Sequence, residues 1–305
     1  MAERRRQSNQ DLEQQLLIAT VITLLQTPRG RKTLLVLVVV GVIGYGCWVL
    51  YQKHHPVITH AGPTVRLATW NLHVFDPRPE IDLGRIAQII EQNQFDLVAI
   101  QEVRGTGVEV DNLLNALGPP WRAARYSPTT GNHERFAFIF NGDHVQEIGP
   151  AQQLGGAGAS VFNRTPYMDT FRAGSFQFTL LTVHLDWTDK RLREQEAMTL
   201  AQVAPDLESR APDHHLIICG DFNEEHQHGN LHYLVDEGWQ ELIHDGTNLS
   251  STEDFDNFLI EPRYFPQFTA HSGVVRFDQT YQLDRSEAVR TVSDHRPAYA
   301  DFATN

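Results

Sequence analysis

Apolar runs separated by short polar turns divide most of the chain into strands and a few helices. The first run, "VRLATWN" from Val65, predicts a strand, and "FDLVAI" from Phe95 predicts a second, buried one. Between them, Asp82 precedes apolar residues at the spacing of an amphipathic helix: Leu83, Ile86, Ile89 and Ile90. This part of the chain is therefore predicted to form a strand, helix, strand unit.

The later apolar runs are short and predict further strands. They are "FAFIF" from Phe136, "FQFTLLTVHL" from Phe176, "HLIIC" from His215, "FLI" from Phe258, "VVRF" from Val274 and "AYADF" from Ala298. Few helical patterns interrupt them, the charged segment from Asp189 to Val203 being one. This layout predicts an α/β fold in which two sheets pack together with helices outside.

An apolar run near the N-terminus is long enough to cross a bilayer. Leu34 to Tyr51 contains 18 residues without a charge, which at the rise of a helix span about 27 Å. A cleaved signal peptide fits less well, because 33 residues precede the run and the residues after it match a cleavage site poorly. Residues 34–51 are therefore predicted to form a transmembrane helix that anchors the chain.

The charges beside this run predict its orientation. Arg29, Arg31 and Lys32 lie directly before it, whereas few basic residues follow soon after. Positive charge favours the cytoplasmic side, so residues 1–33 are predicted to be cytoplasmic. The protein would then cross a bacterial-type inner membrane once, with its larger part in the periplasm.

The rest of the chain is predicted to be a polar linker, residues 52–63, followed by one folded domain, residues 64–305. A second apolar run, Leu16 to Leu25, is too short to span a bilayer alone. Its insertion as half of a hairpin would reverse the orientation, and the sequence leaves that alternative open.

Composition and charge limit the functions that this chain can have. Its 305 residues, 41% of them hydrophobic, are enough for one large domain or two small ones. The formal net charge of the chain is −13. Residues 1–53 hold 7 of the 25 basic residues and 3 of the 38 acidic residues, so the residues after 53 carry a net charge of −17. Such a charge argues against coating nucleic acid through bulk electrostatics. The two cysteines, Cys47 and Cys219, exclude a disulfide framework.

Polar residues collect where the predicted strands end or begin. They are Asn71, Glu102, His184, Asp221, Asn223, Asp256, Asp294 and His295. Strand ends are where functional side chains are commonly mounted on a sheet. Hard oxygen ligands without cysteine suit Mg²⁺, Mn²⁺ or Ca²⁺ rather than structural zinc. A separate group of three histidines, His226, His228 and His232, matches no zinc spacing and is predicted to be a polar loop.

In this order, the blocks around those residues resemble the endonuclease/exonuclease/phosphatase superfamily of metal-dependent phosphoesterases. The resemblance extends from about Val65 to Phe302 and implies a four-layer αββα sandwich with two mixed sheets. Within the superfamily the chain is most similar to pancreatic-type deoxyribonuclease I, through Arg104 after "QEV", Glu134 in "GNHERFAFIF" and Arg164 in "FNRTPYMDTF". One departure is Asn132, which stands where that nuclease usually has tyrosine.

The resemblance implies a role for each of these residues. Glu102, Asn71 and Asp294 would hold the metal, Mg²⁺ by preference, and Asp221 and Asn223 would lie around the same ion and phosphate. His295, oriented by Asp256, would be general base or phosphate clamp, with Asp221 as its rival for the proton of the water. His184, paired with Glu134, would be general acid or second clamp. Arg104 and Arg164 would bind flanking phosphates.

The function implied is a membrane-anchored, Mg²⁺-dependent phosphodiesterase, foremost a nuclease with nucleic acid as its substrate. The alternative is a lipid or small-molecule phosphoesterase, sphingomyelinase-like or a phosphatase, for which apolar insertions beside the site would argue. The one candidate insertion, "YFPQF" from Tyr264 to Phe268, is equally well explained as a packed loop. A catalytically silent binding domain is disfavoured, because a domain without activity would be free to lose the polar residues at the strand ends, and these are all present. No protein partner is inferred.

Overall fold

Two mixed β-sheets form the centre of the domain in a computed structural model. It describes residues 62–224, 229–250 and 253–305, all within one compact unit, His60–Asn305. The strands are β1 (Thr64–Phe75), β2 (Leu97–Arg104), β3 (Trp121–Ala123), β4 (Glu134–Asn141), β5 (Gln146–Glu147), β6 (Gln152–Gln153), β7 (Tyr167–Ala173), β8 (Phe176–His184), β9 (Leu216–Asp221), β10 (Gln240–Glu241), β11 (Asp256–Ile260), β12 (Phe268–Val274) and β13 (Ala298–Ala303). The first sheet has the order β12-β13-β1-β2-β4-β3, and the second β10-β11-β9-β8-β7-β5, with β6 also paired to β7.

Helices cover the outer faces of both sheets. They are α1 (Leu83–Gln92), α2 (Val108–Leu117), α3 (Lys190–Arg210), α4 (His232–Asp236), α5 (Phe277–Thr280) and α6 (Arg285–Thr291). One apolar cluster joins α1, α2 and α6 to the first sheet, and another joins α3 and α4 to the second. A third cluster, rich in phenylalanine, fills the space between the sheets. The prediction of an α/β fold with two packed mixed sheets and helices outside is confirmed.

Each sheet has one parallel strand pair at its centre. β1 runs parallel to β2, and β8 runs parallel to β9, whereas the other pairs are antiparallel. Helix α1 connects the first parallel pair and α3 the second, as a parallel pair requires a crossover. The carboxyl ends of these four strands therefore lie at one end of the sandwich, which we call the mouth. The opposite end is called the base.

A glycine brings the second parallel pair close together beneath the mouth. Gly220 has φ +137°, and a Cβ there would lie 2.1 Å from the carbonyl oxygen of Val183 on β8. Any larger residue would push β9 away from β8, so the last pair of the register, His184 opposite Asp221, depends on this glycine. The "CGD" turn of the sequence is thus an element of strand packing.

A polar bridge between the sheets lies just below the mouth. The buried amide of Gln101 on β2 donates to Thr69 Oγ1 at 3.0 Å and to Thr182 Oγ1 on β8 at 2.9 Å. Cys219 is fully buried beside the two threonines, and burial raises the pKa of its thiol. These contacts fix the two sheets relative to each other next to the strand ends.

The helix cap and most of the strands were predicted correctly. Asp82 accepts from the backbone N–H of Arg85 and begins α1 as expected. The prediction of a strand at "VVRF" is wrong, because β12 ends at Val274 and Phe277 begins α5, where its ring is buried between helix and sheet. Strand β7 was missed, since its polar residues obscure the alternation.

The N-terminal predictions lie outside the described residues. These are the cytoplasmic segment 1–33, the transmembrane helix 34–51, the run from Leu16 to Leu25, and nearly all of the linker 52–63. Within residues 62–224, 229–250 and 253–305, no helix combines the length and hydropathy needed to cross a membrane. The orientation of the chain stays a prediction.

Candidate active site

The polar strand ends meet in one cavity at the mouth. It measures about 350 Å³ and is lined by ten of the eleven residues predicted for the site: Asn71, Glu102, Arg104, Glu134, Arg164, His184, Asp221, Asn223, Asp294 and His295. The eleventh, Asp256, is fully buried behind His295. A larger cavity of about 700 Å³ lies at the base, but the strand-end groups collect in the smaller one.

The first catalytic candidate is a histidine held by a buried carboxylate. His184 Nδ1 lies 2.9 Å from Glu134 Oε2, and both side chains are almost wholly buried. Arg164 Nε donates to the same carboxylate at 2.8 Å and Arg104 Nη2 at 3.1 Å. Burial of the carboxyl opposes ionisation, but the hydrogen bond from His184 and the two guanidinium charges outweigh it and lower the pKa of Glu134 to about 2.

A second histidine, which precedes β13 of the first sheet, repeats this arrangement. His295 Nδ1 lies 2.7 Å from Asp256 Oδ2. Burial disfavours the imidazolium, but the carboxylates of Asp256 and Asp221 overcome that and raise the pKa of His295 well above its usual range. The raised pKa favours the imidazolium, which suits His295 to donate a hydrogen bond rather than to accept a proton.

Asp221 lies between the two histidines. Its Oδ2 atom is 3.6 Å from His184 Nε2 and 3.8 Å from His295 Nε2, and accepts from Asn71 Nδ2 at 2.9 Å. Its Oδ1 atom accepts from the backbone N–H of Asn223 at 2.9 Å. Since both histidines bind their carboxylates through Nδ1, both Nε2 atoms face the cavity and Asp221.

An oxygen-rich corner of the cavity fits a divalent cation. Glu102 Oε1 accepts from Asn71 Nδ2 at 3.1 Å, and the side chain of Asp294 is 38% exposed in the same cavity. Glu102 has φ +60°, a conformation that a residue with a side chain seldom adopts and that aims its carboxylate at Asn71. Carboxylate and amide oxygens without thiolate are the ligands of Mg²⁺, Mn²⁺ or Ca²⁺.

A different trio also brings possible ligand atoms together. One atom each of Asp221, Asp256 and His295 lies within 4.8 Å of the others. Asp256 and His295 are already joined by a short hydrogen bond, and a protonated imidazole has no lone pair to give to a metal. The oxygen corner around Glu102 is the better match to a hard cation.

The two arginines are engaged with protein groups. Arg164 is 2% exposed and bonds to Glu134, and its Nη1 atom lies within 3.5 Å of the carbonyl oxygens of His184 and Leu185. Arg104 donates to Glu134 and to the carbonyl oxygen of Asn132. Both guanidinium groups line the cavity while fixing Glu134, and their contact with phosphate stays a prediction.

Among the cavity-lining residues that sequence reasoning missed, two carry a polar or aromatic side chain of interest, His73 and Trp187. His73 lies two positions after Asn71, and its Nδ1 atom is 3.2 Å from Asp294 Oδ1. Trp187 lies three positions after His184 and is 64% exposed at the cavity edge. Each was adjacent to a recognised block, so proximity in sequence was the available signal.

Two buried carboxylates hold the loop that carries Trp187. Asp186 accepts from the backbone N–H groups of Thr188 and Asp189, and these hydrogen bonds, with that of Asn163, overcome its burial and lower its pKa to about 2. Glu196 of α3 accepts from the N–H of Asp186 and the N–H of Asn163, both at 2.7 Å. Glu196 thereby ties the segments after His184 and before Arg164 to one helix.

The remaining sequence candidates within the described residues lie apart from this cavity. His226 and His228 fall outside the described residues, and His232 Nδ1 lies 3.2 Å from the carbonyl oxygen of Gly229. "YFPQF" is a packed loop, since Phe265 is buried and Tyr264 and Phe268 pack against the core between the sheets.

Comparison with known proteins decides which family this site belongs to. The profile of the Endonuclease/Exonuclease/phosphatase family matches residues 68–295, well over half of the chain. The protein belongs to this family. Membership assigns this endonuclease/exonuclease/phosphatase protein to the phosphoesterases, the general class that the sequence predicted.

Known members share the domain at low sequence identity. The human Endonuclease/exonuclease/phosphatase family domain-containing protein 1 is 24% identical over 282 residues, covering 79% of this chain and 50% of the human protein. The chain thus spans about half the length of that curated relative. A mannosyl-6-phosphatase of Bacteroides thetaiotaomicron has a TM-score of 0.58 at 16% identity, covering 77% of this chain and 98% of its own.

TDP2 of D. rerio, solved with a single-strand DNA product, is a further structural neighbour. It has a TM-score of 0.58 at 16% identity and covers 79% of this chain and 99% of its own. At such identities these likenesses establish the family's fold in this protein and leave its substrate open.

Proposed function

We propose that the protein is a metal-dependent phosphodiesterase that hydrolyses nucleic acid. The observation that carries the proposal is the pair of carboxylate-bound histidines whose Nε2 atoms face Asp221, 3.6 and 3.8 Å away, beside the oxygen corner of Glu102. Hydrolysis of a phosphodiester needs a proton acceptor for water, a proton donor for the leaving oxygen and positive charge near the phosphate. This cavity holds a group for each task.

The position of each group in the cavity assigns its task. His295, whose pKa is raised by its carboxylate neighbours, donates a hydrogen bond to a non-bridging phosphate oxygen, and Asp221, between the histidines, accepts the proton of the attacking water. His184 gives its Nε2 proton to the leaving oxygen, while Glu134 stabilises the imidazolium that supplies it. Glu102, Asn71 and Asp294 would hold a divalent cation, which when bound neutralises charge on the phosphate oxygens.

An exposed aromatic ring supports a nucleotide substrate. Trp187 offers an apolar face at the edge of the cavity, with 64% of its surface free. Base stacking on such a ring is worth about 1–3 kcal/mol per base. Because Asn132 replaces the tyrosine expected by resemblance, Trp187 takes over the stacking role in this chain. The DNA complex of the TDP2 neighbour is consistent with such a substrate on this fold.

A small phosphoester is the second candidate, since a mannosyl-6-phosphatase shares the fold. The decisive experiment compares the full-length chain on plasmid DNA, on bis(p-nitrophenyl) phosphate and on sphingomyelin vesicles, with Mg²⁺ or with chelator. We expect Mg²⁺-dependent nicking of plasmid that is lost in Glu102→Gln. Turnover of either other substrate with intact plasmid would contradict the nuclease proposal and retain the phosphoesterase.

The same assay on an oligonucleotide tests the stacking role. Trp187→Ala is expected to raise KM by about 5- to 150-fold with a smaller change in kcat, because stacking binds the substrate away from the reacting atoms. Val235→Ala is the matched control, since Val235 is also an exposed apolar residue. Equal KM values for wild type, Trp187→Ala and Val235→Ala would contradict a stacking role for Trp187.

We further propose that residues 34–51 anchor the protein in an inner membrane, with the active site on the outer side. The 18-residue uncharged run and the basic residues before it support this arrangement. After cell fractionation, the full-length chain should sediment with membranes and resist extraction by salt. Its recovery in the soluble fraction would contradict the anchor.

A further inference from the structure

A shallow groove lined by arginine lies next to the active site. We call it the arginine groove; its volume is about 560 Å³ and its lining residues are His73, Arg78, Arg285, Ser286, Val289 and Arg290. His73 lines both the groove and the catalytic cavity, and its ring contacts Asp294 at 3.2 Å. The groove and the catalytic cavity therefore adjoin at His73.

The charge of this groove is opposite to that of the domain around it. Three of its lining side chains are guanidinium groups, and none of the described residues that line it carries a carboxylate. The residues after 53, by contrast, carry a net charge of −17. Arg285 and Arg290 are exposed, and no ion pair joins either to another described residue. A positive groove in an acidic protein concentrates positive potential in one place.

The neighbouring carboxylates leave the groove positive. Asp76 pairs with Arg78 Nε at 2.7 Å, and Arg78 Nη2 donates to the carbonyl oxygens of His73 and Val74, so this arginine is held in place. Asp284 caps the start of α6 through the N–H of Glu287. Glu287 is exposed on α6 and is not among the lining residues.

The groove and Trp187 lie on opposite sides of the mouth. Arg285 and Arg290 belong to α6, which packs on the outer face of the first sheet through Ala288. Trp187 follows β8 and precedes α3, which packs on the second sheet. A substrate that touches both must pass across the catalytic cavity between the sheets.

We propose that the arginine groove binds backbone phosphates of a nucleic-acid strand on one side of the bond that is cut. The inference rests on the proposed function and narrows it to polymeric substrates. Arginine suits this role because its charge is permanent and its planar donors bind phosphate oxygens in pairs. A substrate with a single phosphodiester has no second phosphate to place in the groove while it reacts at Asp221.

The test compares Arg285→Gln/Arg290→Gln with wild type in the full-length chain. Binding of a fluorescent single-stranded oligonucleotide is measured in chelator at several salt concentrations, and kcat/KM on bis(p-nitrophenyl) phosphate is measured with Mg²⁺. We expect Kd for the oligonucleotide to rise about tenfold and the log–log salt slope to fall by between about 1 and 2. Activity on the small diester should be unchanged.

Arg122→Gln/Arg210→Gln is the matched control, because it removes the same charge from the base of the domain, where β4 and α3 end. It should leave Kd and the salt slope as in wild type. If the groove variant binds the oligonucleotide as wild type does and both proteins cleave it, the proposed role of the groove is refuted and the proposed nuclease activity is retained. If wild type hydrolyses the small diester but neither binds nor cleaves the oligonucleotide, the nuclease proposal itself fails.

Discussion

His184→Ala is expected to lower kcat on an oligonucleotide by about 10²- to 10⁴-fold. The reason is that Nε2 of His184 faces the cavity beside Asp221, while Nδ1 is held by Glu134 at 2.9 Å, so the ring is fixed for proton donation. The measurement is steady-state cleavage with Mg²⁺, together with circular dichroism and thermal unfolding to show that the variant is folded. His144→Ala is the control, since that exposed imidazole lies at the base and also pairs with an aspartate, Asp96.

The choice of leaving group separates proton donation from phosphate binding. A p-nitrophenolate leaving group needs little protonation, so His184→Ala should recover most of its activity on a p-nitrophenyl diester. His295→Ala should stay impaired on both substrates, because His295 acts on a non-bridging oxygen. An equal loss for His184→Ala on both substrates would make His184 a second phosphate clamp instead, and near-normal activity on the oligonucleotide would refute both roles.

Glu134→Gln is expected to destabilise the fold by about 3–5 kcal/mol at neutral pH. The variant keeps the shape of the side chain but removes the charge that balances the buried guanidinium of Arg164, 2.8 Å away. It should also lose activity, because His184 is no longer oriented by a carboxylate. Urea unfolding of the two proteins measures the difference in free energy of unfolding.

The dependence of that difference on pH has a definite sign. The pKa of Glu134 is lowered in the folded protein from 4.5 to about 2, so its ionised form stabilises the fold fully above about pH 4.5. That stabilisation is lost as the pH falls toward 2, and the gap between wild type and Glu134→Gln should therefore narrow over this range. Glu237→Gln, which removes a carboxylate from an exposed position, is the control variant for this comparison. A gap that is constant from pH 7 to pH 3 would contradict the charge argument.

The sequence could predict where functional groups leave the strands but not how they pair. Asn71, His184 and Asp221 end apolar runs, and such runs are visible locally. The bonds among them join distant positions: Glu134 to His184 across 50 residues, Asp256 to His295 across 39 and Asn71 to Asp221 across 150. Those contacts depend on strand register, which a single sequence does not contain. The two histidine–carboxylate pairings came from the family resemblance, and the contact between Asn71 and Asp221 was not predicted.

Other features of the site depend on irregular backbone. The β1–β2 ladder shifts register between Asn71 and Phe75, and the β2–β4 ladder shifts between Ile100 and Val103. These irregularities aim His73 and Glu102 into the cavity. No turn residue such as glycine marks either place in the sequence, so the prediction of plain strands missed them. Glu196 was missed for a related reason, because a buried carboxylate on a helix resembles a solvated one until its N–H partners are known.

The pairing of the first and last strands determines where the domain can be tagged or immobilised without blocking the active site. Thr64 pairs with Ala303 at the base, seven residues and about 23 Å along β1 from Asn71 at the mouth. An affinity tag or a surface linkage attached through either end of the domain would therefore hold it at the base, away from the catalytic cavity. A dissolved polymer would then have open access to the mouth.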